Sequence, residues 1–532
     1  MSQNASSPPP TYQPQPHPGY DQSSSHDSSN NTFNKQQQEN DIERNDEKRP
    51  DGSFDTYKPQ PSENFDDSFK VAKPWFNDWP FTILFTATLA GFICVAVITI
   101  KEYSENYGFQ GSSIYNSGND FSLNSNTIIL FAFVIAISMV LSFLSILWAR
   151  LSPRSYIITA LICNVIFGIG TAIAYFVMHY YSAAIVFLVI TLINIWCYWS
   201  MRSRIPFSCT VLTIIIDVMK WHPTTLLISV IGLIVSGMFS ALFSVTVVAT
   251  YIKYQPNSNN PSCTSGSCSK SKLIGILVFV FFAGYYISEV IKNVIHVTIS
   301  GVYGTWYYLS KSDQGVPRFP ALGAFRRAMT YSFGPICFGS LIVALVQLLK
   351  QFIQIMRQNA MNNNDMCGSI TAVCFECIIY IVDWALRYFN QYAYSYVALY
   401  GKSYLRSAKD TWQILRYKGI DALCNDCLIG TSLSMISMFV AYVASLFAYL
   451  YLKCTKPEYN SDGGFYAPVV AYTFVVSMQI SNITNSVIRS GVTTFFVALA
   501  KDPEVFMLSY RDKFDEVLQN YPNVLEKITA DN

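Results

Sequence analysis

The chain is 532 residues long, 51% hydrophobic and only 13% charged, where an ordinary soluble domain carries about 25% charge. Its net charge of +2 excludes the basic footprint of a nucleic-acid-binding protein. Apolar runs recur along most of its length, so the expected class is an all-α polytopic membrane protein.

Residues 1–74 come first and stand apart. They are rich in Ser, Asn, Gln and Pro and poor in aliphatics. Such a segment buries too little apolar surface to offset its ordering entropy, and it is expected to be a disordered cytoplasmic tail. Within it, Pro9, Pro10, Thr11 and Tyr12 fit the PPxY pattern. A polyproline stretch is preorganised for the aromatic groove of a WW domain, so a WW-domain ubiquitin ligase is a candidate partner. No cleavable signal precedes the first apolar run, which is expected to serve as an uncleaved signal-anchor.

A transmembrane helix needs roughly 20 apolar residues. Ten segments qualify: 79–100, 126–149, 155–178, 182–200, 223–250, 272–300, 332–356, 370–400, 426–452 and 464–489. They define a ten-helix domain over 75–500 and leave 501–532 as a cytoplasmic C-terminal tail. Two shorter stretches, 205–220 and 491–500, are expected to lie at or dip into the interface. The first has Pro206 near its start and Asp217 and Lys220 near its end.

Orientation follows from the positive charges of the short loops. One set of connections, which includes Arg150, Arg204, Lys311, Arg326 and Arg416, carries 14 Lys and Arg. The other, which includes Lys101, Lys253, Lys350 and Lys453, carries 8. The richer set is expected to be cytoplasmic, and an even number of spans then puts both termini there. On that topology Cys263 and Cys268 lie outside, where a disulfide is a candidate. "CFEC" (Cys374, Cys377) and "CNDC" (Cys424, Cys427) have zinc-type spacing. They fall on opposite sides of the membrane, cannot share an ion, and no metal is expected.

Three spans carry polar groups at helical spacing. The sixth has Tyr285, Glu289, Lys292 and His296, in steps of four, three and four. Beyond them Gly301 and Gly304 permit close packing or a local break. The eighth has Glu376, Tyr380, Asp383, Arg387, Asn390 and Tyr394. The tenth has Gln479, Asn482, Asn485, Ser486 and Arg489. Pairing of Glu289 with Lys292, and of Asp383 with Arg387, would lower the burial cost. Two readings stand: the stripes knit the bundle, or they line a solute path. An acid beside aromatic rings would suit a quaternary ammonium, because ring faces attract a desolvated cation. The candidate substrate-binding residues are Glu289 and Asp383 to offset charge, Trp306, Trp384 and Tyr394 to cage it, and His296 to sense pH or relay protons. No GxxxxGK[ST] loop is present: "YVALYGKS" has Tyr396 where the first glycine belongs. That argues against ATP-driven transport by this chain, and no cofactor or enzymatic motif is found.

Four stretches carry a family resemblance: "ISGVYGTWYY" (299–308), "SFGPICFGSLIVALVQLLK" (332–350), "YAYSYVALYGKSYLRSAKDTWQIL" (392–415) and "SGVTTFFVALAKDPE" (490–504). In these the chain resembles the choline transporter-like family, most of all its fungal branch. The resemblance implies a ten-helix secondary carrier or facilitator in the plasma membrane with cytoplasmic termini. For animal members it implies choline-like amine substrates. Animal members also have a large glycosylated loop after the first helix, whereas here only Lys101 to Ser125 intervene, with no N-x-[ST] sequon. The alternative is a non-transporting membrane protein that organises signalling or stress response through its tail.

Overall fold

The computed structural model describes residues 75–107, 125–254, 269–312, 315–363, 366–418, 420–456 and 466–520. The PPxY motif and the Cys263/Cys268 loop lie outside these residues. The described chain is helical throughout. In order the helices are α1 (Trp79–Tyr107), α2 (Ser125–Leu151), α3 (Pro153–Val177), α4 (Tyr181–Ser200), α5 (Ile205–Trp221), α6 (Thr224–Tyr254), α7 (Lys270–Leu309) and α8 (Pro320–Met329). They continue as α9 (Phe333–Asn362), α10 (Met366–Tyr400), α11 (Tyr404–Lys418), α12 (Ile420–Thr455), α13 (Tyr466–Lys501), α14 (Pro503–Ser509) and α15 (Arg511–Asn520). Among the described residues nine helices are long and apolar enough to cross a membrane. Ala184–Ser200 and Arg202–Trp221, bent by 52° at their junction, make up to ten if they count as one span. Helices dominate because a chain in lipid must satisfy its own backbone groups.

The 40-residue α7 is the axis of the bundle. At 1.5 Å per residue it is about 60 Å long, twice the hydrocarbon thickness. It packs against α6, α8, α9, α10 and α13. On its apolar side Tyr286, Ile287, Val290 and Val297 join Phe85 and Phe92 of α1 and Ile336 and Ala344 of α9 in one buried cluster. Its polar side is turned to α10 and α13.

The C-terminal ends of α7, α10 and α13 meet at one point, so these three helices run the same way. The buried Asp502 joins them. Its Oδ2 lies 2.6 Å from the Tyr308 hydroxyl and 3.0 Å from the Tyr400 hydroxyl, and the two hydroxyls are 2.6 Å apart. The Tyr307 hydroxyl donates to the Asp502 carbonyl at 2.9 Å. Above this knot, residues 297–309 of α7, 392–399 of α10 and 490–499 of α13 are buried without a gap. Gly301 and Gly304 therefore serve close packing: α7 runs unbroken past both.

Residues 205–220 form a helix, α5, which packs among α2, α3, α12 and α13 and meets α4 at the 52° bend. One expectation is corrected here. Residues 491–500 are no separate interfacial helix; they are the buried last turns of the continuous α13. The reason is small side chains. Ser490, Gly491, Thr493 and Thr494 let α13 approach α5, α7 and α10 closely. Beyond Lys501, α14 and α15 fold back onto the bundle: Val505, Phe506 and Phe514 are buried, and Thr210 of α5 donates to Glu516 at 3.1 Å.

Gly491 marks a close approach of α13 to α5 and α7. A Cβ there would lie 2.7 Å from both Ile215 Cγ2 and Tyr303 Cζ, and the Tyr303 hydroxyl already donates to the Ile215 carbonyl at 3.2 Å. Neither buried group has room to retreat. Gly491→Ala is therefore expected to cost about 1–3 kcal/mol by overpacking, seen as a lower thermal midpoint of the purified protein.

Candidate functional site

A charged side chain near the bilayer centre costs about 2.5–3.5 kcal/mol on insertion scales, so intramembrane charges gather and pair. The polar stripes of α7 and α10 obey this. Arg387 on α10 donates through Nη1 to Glu289 Oε1 on α7 at 2.6 Å. Through Nε it donates to Asp383 Oδ1 at 2.9 Å. Lys350 on α9 donates to Asp383 Oδ2 at 2.9 Å, and Lys292 Nζ lies 3.6 Å from Glu289 Oε2. The Glu289–Lys292 pair expected from helical spacing exists, but the shorter contact to Glu289 comes from another helix. One guanidinium holds two carboxylates, with an ammonium at each end.

A further stripe joins them. Gln347, Lys350 and Gln354 recur on α9 in steps of three and four. Gln347 faces Glu289 Oε1 at 3.5 Å, and Gln354 faces Glu376 Oε1 at 3.4 Å. The spacing is visible in the sequence, inside a segment read there as plain apolar. Lys350, counted among loop cations for orientation, belongs to this intramembrane network.

Beside the network lies a cavity of about 410 Å³ between α6, α7, α10 and α13. All three predicted stripes reach it: Glu289, Lys292 and His296; Arg387, Asn390 and Tyr394; Gln479, Asn482, Ser486 and Arg489. Lys292 keeps 56% of its side chain accessible there. The cavity ends at His296. The Gln391 carbonyl at 2.9 Å can only accept, so it fixes a proton on Nε2, and Nδ1 then accepts from the Ser490 hydroxyl at 2.7 Å. Asn293 donates to Ser340 Oγ at 2.9 Å and to the Tyr394 hydroxyl at 3.3 Å. Outside the spans, Tyr404 on α11 donates to Asn390 Oδ1 at 2.6 Å, and burial pushes its hydroxyl up to about 12, so it stays a donor. The Asn390 side chain is 3% exposed, and its Nδ2 has no hydrogen-bond partner among the described residues.

Of the six candidate residues, Glu289, His296 and Tyr394 line this cavity. Asp383 stands behind it, held by Arg387 and Lys350. Trp384, 63% exposed, lines an adjoining pocket of about 390 Å³ that shares Arg387, Gln391, Ser434 and Arg489 with the main cavity. Trp306 is elsewhere: it is buried beside the Asp502 knot, its ring 5.2 Å from that of Tyr510. The rings of Trp306, Trp384 and Tyr394 do not surround one point. Cys374 and Cys377 are exposed and unbridged.

The fold and this site define a multi-pass helical membrane protein with a polar chamber inside the bundle, closed at one end. The family model described as plasma-membrane choline transporter matches residues 185–504. Protein PNS1 of Debaryomyces hansenii is 61% identical over 492 residues, covering 92% of this chain and 95% of the relative. Protein PNS1 of Candida albicans is 61% identical over 477 residues (89% and 92%), and that of Saccharomyces cerevisiae 51% over 487 (91% and 89%). The chain belongs to the plasma-membrane choline transporter family, a transporter family and not an enzyme family. Three of the four motif segments that carried the resemblance overlap the packed seal and the Asp502 knot, and the fourth, 332–350, lies on α9 and ends at Lys350 of the ion network.

Arg387→Met removes the cation that, among the described residues, serves two carboxylates. Breaking a partly buried pair this way costs about 3–5 kcal/mol, so the folded, monodisperse yield is expected to fall sharply. Arg387→Lys, which can reach one carboxylate at a time, should fall less. Size-exclusion profiles of the three proteins check this.

Proposed function

We propose that the protein is a secondary carrier or facilitator for a small, choline-like organic ammonium, working by alternating access around the α6–α7–α10–α13 cavity. One observation carries the reading: three polar stripes from three helices converge on one chamber, below which the same helices are packed solid. The chamber has the size of a small-molecule site. A carrier needs a central site, a closed side and a closed state that can open. The seal over 297–309, 392–399 and 490–499 supplies the closed side, and the Asp502 knot is the fastening that must release. On the charge asymmetry of the loops, the sealed end faces the cytoplasm, as do both termini, and the chamber opens outward. The PPxY motif at Pro9, Pro10 and Tyr12 supports recruitment of a WW-domain ubiquitin ligase that would control residence in the plasma membrane.

Uptake of radiolabelled choline into proteoliposomes holding the full chain tests the reading. Wild-type protein is expected to accumulate label, and Glu289→Gln to lose several-fold of that rate at equal reconstituted protein, since Glu289 is the one carboxylate among the residues lining the chamber. Full uptake by Glu289→Gln would reduce that acid to a packing role. No uptake by well-folded wild-type protein would remove choline as the substrate.

A further inference from the structure

We infer that the solute accepted by this chamber carries an anionic group, a carboxylate or phosphate, beside its ammonium. This rests on the carrier reading above and narrows its substrate class to a zwitterion.

The charge arrangement is the argument. The chamber wall holds Lys292, Arg387 and Arg489 against one carboxylate, Glu289. Both Glu289 oxygens already face cations, Arg387 at 2.6 Å and Lys292 at 3.6 Å. Asp383 behind them is held by Arg387 and Lys350 at 2.9 Å each. A bare cation entering the chamber meets an ammonium and guanidinium groups before it meets a carboxylate that is not already engaged. An anionic group meets the reverse. The Lys292 ammonium has three donors and more than half its side chain accessible in the chamber, with Glu289 taking one direction. The ammonium end has its own surface next door. Trp384 and Tyr388 are stacked, with centroids 5.9 Å apart and planes at 23°, in the pocket that shares Arg387 with the chamber. Ring faces there, and an anion-accepting Lys292 beyond Arg387, suit the two ends of one small molecule.

The test measures uptake of radiolabelled choline and of radiolabelled glycine betaine separately, in proteoliposomes with the full chain. The betaine is expected to enter faster, with a ratio over choline of about tenfold, the value of one charge-assisted contact. Lys292→Gln should bring that ratio near one, and Lys292→Arg should restore it. The ratio is read rather than the rate, so a merely less stable variant does not mimic the effect. Choline entering as fast as the betaine or faster, or a betaine preference unmoved by Lys292→Gln, overturns the inference and leaves the carrier standing. Uptake of neither solute overturns both.

Discussion

Charge neutralisation inside the bilayer is the constraint on which the rest of this structure depends. Arg387 meets it by holding Glu289 of α7 and Asp383 of its own helix at 2.6 and 2.9 Å. Without that bridge, Glu289 would keep only Lys292 at 3.6 Å and Asp383 only Lys350, in an interior where desolvation makes a poorly compensated charge costly. With it, α7 and α10 are tied side by side in fixed register, and Lys350 adds α9 to the same assembly. The polar faces then have a common place to point. The chamber follows from the ion network, because residues above and below Arg387 on that face, Asp383 aside, must also be turned away from lipid.

The two ends of the long helices solve different problems. Around the chamber the residues are large and polar and leave space. Toward the C-terminal ends of α7, α10 and α13 they are small or aromatic and leave none. Ser300, Gly301, Ser395, Ala398, Ser490 and Gly491 bring the backbones together, and Tyr307, Tyr308 and Tyr400 close the end on Asp502. Hydroxyl-to-carboxylate bonds are strong in a dry site and are lost together when the helices part, which suits a fastening with two discrete states.

Much of this was legible in the sequence, and what was not has physical causes. Spacing within one helix is local arithmetic, so Glu289, Lys292 and His296, or Arg387, Asn390 and Tyr394, could be placed on one face without a structure. Which stripe faces which is a tertiary matter: nothing local says that Arg387 reaches Glu289 or that Lys350 reaches Asp383. Depth along a helix was also hidden. Trp306 shares an aromatic-rich composition with a ligand cage, yet it lies several turns from the chamber, where Tyr510 of the C-terminal helices covers it. Small residues were the third ambiguity. Ser490 and Gly491 read as a helix end, because glycine both breaks helices and lets them touch; burial against Tyr303 and Ile215 decides for touching.

The central claim is that the faces of α7, α10 and α13 form one water-accessible chamber, open on one side and sealed by the packed helix ends on the other. Labelling of single cysteines by a membrane-impermeant thiol reagent tests it most directly, in a background stripped of the thirteen native cysteines. Gln479→Cys, in the chamber wall, should label from one side of the membrane only and be shielded by transported solute. Ser395→Cys, inside the seal, should stay unlabelled until Asp502→Asn loosens the knot. Equal labelling of both positions in the intact protein, or no labelling of Gln479→Cys from either side, would contradict the account.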